Sequence, residues 1–152
     1  MTAPPPGFSR KLLTGLAQLL AAGGVGDWDP DGVYTSAQTA LTIGGLPPSP
    51  DGAIALAMYG TGTSLDDPVN ADTVVQVQAR MRGGADPRLV DDLADGVYDQ
   101  VHGLADTRLV TGVFVLLAQR RIVAPLGRDD SGRWERADSY ELTVHWPTRH
   151  RD

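Results

Sequence analysis

The stretch over residues 73–82 constrains this chain more than any other. Val75, Val77, Ala79 and Met81 alternate there with Gln76, Gln78, Arg80 and Arg82. A two-residue period sends one set to each side of an extended strand, so one face is apolar and one polar. Such a strand needs neighbours to pair with and an apolar layer over one face only. The next segment changes period to supply that layer. Asp86 stands at a helix N-cap and Pro87 at the first helical position. Leu89, Val90, Leu93, Val97, Tyr98, Val101 and Leu104 then form an apolar stripe.

The flanking segments extend this plan. Ser9 is placed to cap a first helix, whose Leu12, Leu13, Leu16, Leu19 and Leu20 share one face before Gly23 and Gly24 end it. Arg10 and Lys11 ahead of this apolar run have the outline of a secretion signal. Thr14, Gly15 and Gln18 interrupt the run, so the amphipathic helix is the better reading. The Pro4-Pro5-Pro6 run makes residues 1–8 an extended arm. Strands are expected at residues 39–43, 53–59, 109–119, 121–126 and 139–146, with Pro125 marking an edge or a strand end. Turns fall at 47–52 and 129–132, and a polar loop at 60–72. The expected fold is α+β: a two-layer domain with a mostly antiparallel sheet of about five or six strands and two main helices packed on one face. Residues 9–147 form this single domain and 148–152 a C-terminal tail. A chain of 152 residues buries about 70% of its unfolded surface, enough for one core.

Composition removes several classes of function. The absence of cysteine excludes disulfides, thiolate metal sites and cysteine nucleophiles. A net charge of -6 opposes a surface that coats nucleic acid. No apolar run reaches the ~18 residues of a membrane span. The charged residues are 17 Asp against 2 Glu and 12 Arg against one Lys, a bias of coding composition more than of chemistry.

The local motifs are few. Asp27, Asp29, Asp31 and Gly32 match the first half of an EF-hand loop, whereas position twelve is Gln38 in place of a bidentate carboxylate. Pro30 and the early end of the first helix also disfavour that loop, so an Asp-rich turn is expected, with Asp27, Asp29 and Asp31 as the metal candidates. Gly60-Thr61-Gly62 begins like a dinucleotide fingerprint, but its third glycine position is Leu65 and no helix opens there. Asp91, Asp95 and Asp99, with Asp92 beside them, lie along one helix face, a solvated stripe in the simplest reading. His102, His145 and His150 lack metal-ligand spacing, and no serine lies in a hydrolase elbow. Arg80, Arg82, Arg120 and Arg121 suit ion pairs between proteins. No catalytic residue and no cofactor is expected.

The order of blocks along residues 12–147 resembles the tail terminator proteins of long-tailed bacteriophages, also described as minor capsid or head–tail joining proteins. The blocks are the first helix, the turn-rich Thr42-Ile43-Gly44-Gly45-Leu46-Pro47-Pro48-Ser49-Pro50-Asp51, and the strand Ala53-Ile54-Ala55-Leu56-Ala57-Met58-Tyr59-Gly60. Then come Val74-Val75-Gln76-Val77-Gln78-Ala79-Arg80-Met81-Arg82-Gly83-Gly84 running into Asp86-Pro87, the Gly127-Arg128-Asp129 turn, and Tyr140-Glu141-Leu142-Thr143-Val144. The resemblance implies a structural virion protein of the tail or neck, assembled in the host cytoplasm. It implies a homo-oligomeric, hexameric ring that caps the tail tube, stops its polymerisation and joins the tail to the head connector. Its partners would be the tail tube protein and a connector or adaptor protein, with DNA passing through the lumen unbound and no membrane involved. Interface candidates are Gln76, Gln78, Arg80 and Arg82 on the polar sheet face and Asp66 and Asp67 in the long loop. Asp91, Asp95 and Asp99 are candidates for the lumen. The alternatives are another neck or head–tail adaptor protein, a small metal-binding module, or an enzyme.

Overall fold

A computed structural model describes residues 2–60 and 66–152. The elements run α1 (Phe8–Ala22), β1 (Asp27–Trp28), β2 (Ala40–Ile43), β3 (Ala53–Tyr59), β4 (Asp72–Arg82), α2 (Pro87–Val101), β5 (Ala105–Arg108), β6 (Phe114–Arg128) and β7 (Trp134–His145). The strands make one curled sheet in the order β1-β2-β3-β4-β7-β6-β5. It is mixed: β1, β2 and β3 run parallel to one another, and every other pairing is antiparallel. The architecture is the expected α+β, with seven strands where five or six were expected, and a curled, half-barrel sheet with a parallel edge.

Both helices lie over one face. Leu12, Leu16 and Leu20 of α1 and Val90, Ala94, Val97 and Val101 of α2 pack with Ile54, Leu56, Val75, Val77, Met81, Leu142 and Val144 in one buried cluster. The alternation of β4 holds: Val75, Val77, Ala79 and Met81 are all buried in this layer. Asp86 caps α2 as expected, its carboxylate accepting from the Arg88 N–H at 2.9 Å. Leu89 and Tyr98, placed in the apolar stripe, are half exposed, and Leu104 lies beyond the helix end.

Three expectations are corrected. Gly7, not Ser9, is the N-cap of α1, with no side-chain cap. The Phe8 ring stacks on Trp146 with centroids 4.1 Å apart, which draws the helix start to Phe8. The expected strands 109–119 and 121–126 are one strand, β6. Its register shifts at Val115/Leu117, Arg120/Ile122 and Pro125/Gly127 break the alternation that would have revealed its length. Residues 109–112 are instead a tight turn back from β5, with Gly112 at φ +97. Finally β7 begins at Trp134, because its first half carries Arg136 and Asp138 where apolar residues would mark a buried face.

The last residues are tied to the body. The Ala71 N–H donates to the Asp152 carbonyl at 2.8 Å, and the Arg151 guanidinium donates to the Trp146 carbonyl at 2.9 Å. No helix among the described residues is long and apolar enough to cross a membrane.

The two layers approach closely at Gly83, where β4 leaves the sheet for α2. A Cβ there would stand 2.7 Å from the Val90 backbone nitrogen. Gly83→Ala must push the helix off the strand, with an expected loss of about 1–3 kcal/mol in urea unfolding. An unchanged midpoint would contradict this packing.

Candidate functional site

The Asp-rich turn is a backbone-binding turn. One Asp27 carboxylate oxygen accepts from the Thr39 N–H at 3.2 Å, and Asp29 Oδ1 accepts from the Asp31 N–H at 2.9 Å. Gln38 folds back onto the Thr35 N–H at 2.8 Å. Tyr34 fastens the turn to the sheet, its hydroxyl donating to the Leu41 carbonyl at 2.6 Å and accepting from the Asp29 N–H at 3.0 Å. Among the described residues no three His, Cys, Asp or Glu side chains form a group that would hold a metal ion. The Gly60-Thr61-Gly62 motif and Leu65 fall largely outside the described residues.

The polar face of β4 divides in two. Gln76 and Arg82 are buried, at 8% and 3% exposure, whereas Gln78 is half-buried and Arg80 exposed. Gln76 donates to Glu141 at 3.2 Å, and Arg80 pairs with Glu135 at 2.6 Å. The Arg82 guanidinium donates to the Pro50 carbonyl at 2.6 Å and the Asp51 carbonyl at 2.8 Å. Burial, and then the neighbouring Arg133 cation, lower the Arg82 pKa, while Asp129, Glu135 and Asp51 oppose this. Arg133 completes the clamp, bonding Asp129 at 2.9 Å and the Pro48 carbonyl at 2.8 Å. Arg82 thus ties the turn over residues 47–52 to the end of β4, and Arg133 ties it to the tip of the β6–β7 hairpin.

Asp66 is exposed. Asp67 accepts from the backbone of Val69 at 2.8 Å and Asn70 at 3.0 Å. Its pKa is lowered, by the Asn70 N–H first and the Val69 N–H second. On α2, Asp92, Asp95 and Asp99 are exposed, and Asp91 reaches Arg136 at 3.0 Å. His102 accepts from the Arg120 N–H at 3.1 Å and stacks on Tyr98, and His145 meets Asp72 at 3.0 Å.

Sequence reasoning missed two features. The first is a buried ion cluster between β6, β7 and α2. Asp138, with a fully buried side chain, binds Arg136 at 2.8 Å and approaches Arg120 at 3.5 Å. Arg120 also lies 4.0 Å from the centroid of the Tyr98 ring. The Tyr140 hydroxyl, buried nearby, has no hydrogen-bond partner among the described residues. Burial and the Asp138 carboxylate raise its pKa, against the opposing pull of Arg120 and Arg136. The second is the outer edge of β6. Beyond Arg120 it has no strand beside it except β7 among the described residues, and Ile122, Val123 and Leu126 are exposed at 58%, 44% and 46%. The apolar run was legible, but the free edge needed the pairing.

Removing Asp138 leaves the part-buried guanidiniums of Arg136 and Arg120 with Asp91 as their one remaining acidic partner among the described residues, so Asp138→Ala is expected to cost about 3 kcal/mol in denaturant unfolding. Tyr140→Phe removes an unpaired buried hydroxyl and should be neutral or stabilise by about 1 kcal/mol. A large loss in that second variant would show that the hydroxyl is bonded after all.

No curated protein matches the chain. The sequence model of a family described as bacteriophage tail terminator protein matches residues 19–146, a span from the end of α1 to the residue after β7. The chain therefore belongs to the bacteriophage tail terminator family.

Proposed function

We infer that the chain is a subunit of a hexameric ring that caps the tail tube, ends its polymerisation and offers the head connector a docking face. The family match over residues 19–146 carries this reading. The free outer edge of β6 and the exposed apolar residues along it are compatible with subunits that complete one another. A heterologous contact whose rotation closes gives a ring of fixed size in place of a filament. Among the interface candidates, Gln78 and Arg80, with Asp66, remain exposed enough to meet a neighbouring ring. Asp95 and Asp99 would turn a repulsive surface to DNA passing through the lumen, whereas Asp91 is already engaged by Arg136.

The test is tube growth. Purified protein added to growing tail tubes should halt their lengthening and appear as a cap on one end in electron micrographs. Tubes that lengthen at the same rate with the protein present would defeat the reading.

A further inference from the structure

The two ends of the sheet carry opposite and unfilled features. At the β1–β2 end, an open groove of about 800 Å³ runs between α1 and the Asp-rich turn. Trp28, Leu41 and Ile43 give it apolar surface, Asp29 and Asp31 form one wall, and Arg10 and Lys11 stand on the α1 side. At the other end, the distal part of β6 projects Ile122, Val123 and Leu126 into solvent with no strand outside them among the described residues. The same stretch carries Arg120, Arg121 and Arg128 and no acid.

Apart from Arg10 and Lys11 at the start of α1, charge follows this division in the two stretches that build these strands. Residues 12–79, which build β1, β2, β3 and most of β4, hold seven aspartates and no lysine or arginine. Residues 107–137, which hold all of β6, contain six arginines against two aspartates and one glutamate. Of the arginines on the β6 edge, Arg120 is drawn inward to Asp138, while Arg121 is 4.0 Å from Glu141 and 55% exposed. Arg128 lies over the Trp134 ring, 5.6 Å from its centroid, and forms no ion pair among the described residues. On the other side, Asp27, Asp29 and Asp31 also lack a cationic partner among the described residues, although their carboxylates serve backbone groups at Asp27 and Asp29.

We propose that the occupant of the groove is a second copy of this chain: the β6 edge of one copy seats Ile122 and Leu126 against Trp28 and Ile43 of the next, with Arg121 and Arg128 facing the wall of Asp29 and Asp31. The contact is head to tail, since it joins two different patches at opposite ends of one sheet, and repetition of it closes a ring. Like charges along the β6 edge, which carries Arg121 and Arg128, oppose its symmetric pairing with the β6 edge of another copy. The proposal rests on the ring reading above and adds to it which surfaces meet.

A chain without cysteine allows a clean test. Ile43→Cys and Leu126→Cys are made as separate proteins, both at exposed positions, and mixed in equal amounts with a short bis-maleimide. The mass of the uncross-linked wild type is measured in parallel by sedimentation, alone and on tail tubes. The expected result is a covalent pair containing one copy of each variant, formed only in the mixture, together with an oligomeric wild type. Cross-linking of Leu126→Cys to itself would overturn the head-to-tail contact. An oligomer that gives no mixed pair would overturn the assigned surfaces and leave the ring reading standing. A wild type that stays monomeric both alone and on tubes would overturn both.

Discussion

The pairing of β4 with β7 is the constraint on which the other elements depend. It runs without interruption from Asp72 opposite His145 to Arg82 opposite Glu135. Because the register is unbroken, the apolar residues of both strands arrive on the same side, Val75 opposite Leu142 and Val77 opposite Tyr140, with the buried Asp138 opposite Ala79 on that side. That common face calls for cover, and α2 is delivered to it by the short connection through Gly83 and Gly84. The sheet then grows outward in both directions, through β3 to the parallel edge and through β6 to β5.

Where the chain obeyed a simple period, its structure was legible. The alternation in β4, the limits of β3 and the cap of α2 all follow from residue patterns that local physics reads in one way. Legibility failed where tertiary contacts replace periodicity. Arg136 and Asp138 sit on the helix-facing side of β7 because they neutralise each other and engage Asp91 and Arg120, so no apolar signal marks that half of the strand. Arg82 belongs by alternation to the polar face, yet it is buried because two backbone carbonyls of the turn over residues 47–52 accept its donors. In β6 the register shifts reset the alternation every few residues, so a single long strand reads as two short ones.

For the candidate site the balance was different. The resemblance to tail terminators was visible in the order of blocks, and the family match covers most of the same span. Individual contact residues were harder to see, since an interface made from a sheet edge depends on which strand lies outermost. Asp27, Asp29 and Asp31 illustrate the difficulty. Their spacing suggests a metal loop, whereas the folded chain spends two of the carboxylates on backbone N–H groups and turns the segment into one wall of a groove.

Pro125 has a consequence for how the free edge of β6 meets other extended chains. A bare strand edge with exposed apolar residues such as Ile122, Val123 and Leu126 is a hazard in a crowded cell, because any extended segment can add to it and seed aggregation. Proline removes one amide hydrogen from β6, and the flanking shifts at Arg120/Ile122 and Pro125/Gly127 kink the strand on either side. A stray strand therefore finds no continuous row of donors and acceptors to zip onto. The apolar side chains stay available to a partner of matching shape, while the backbone refuses a casual one.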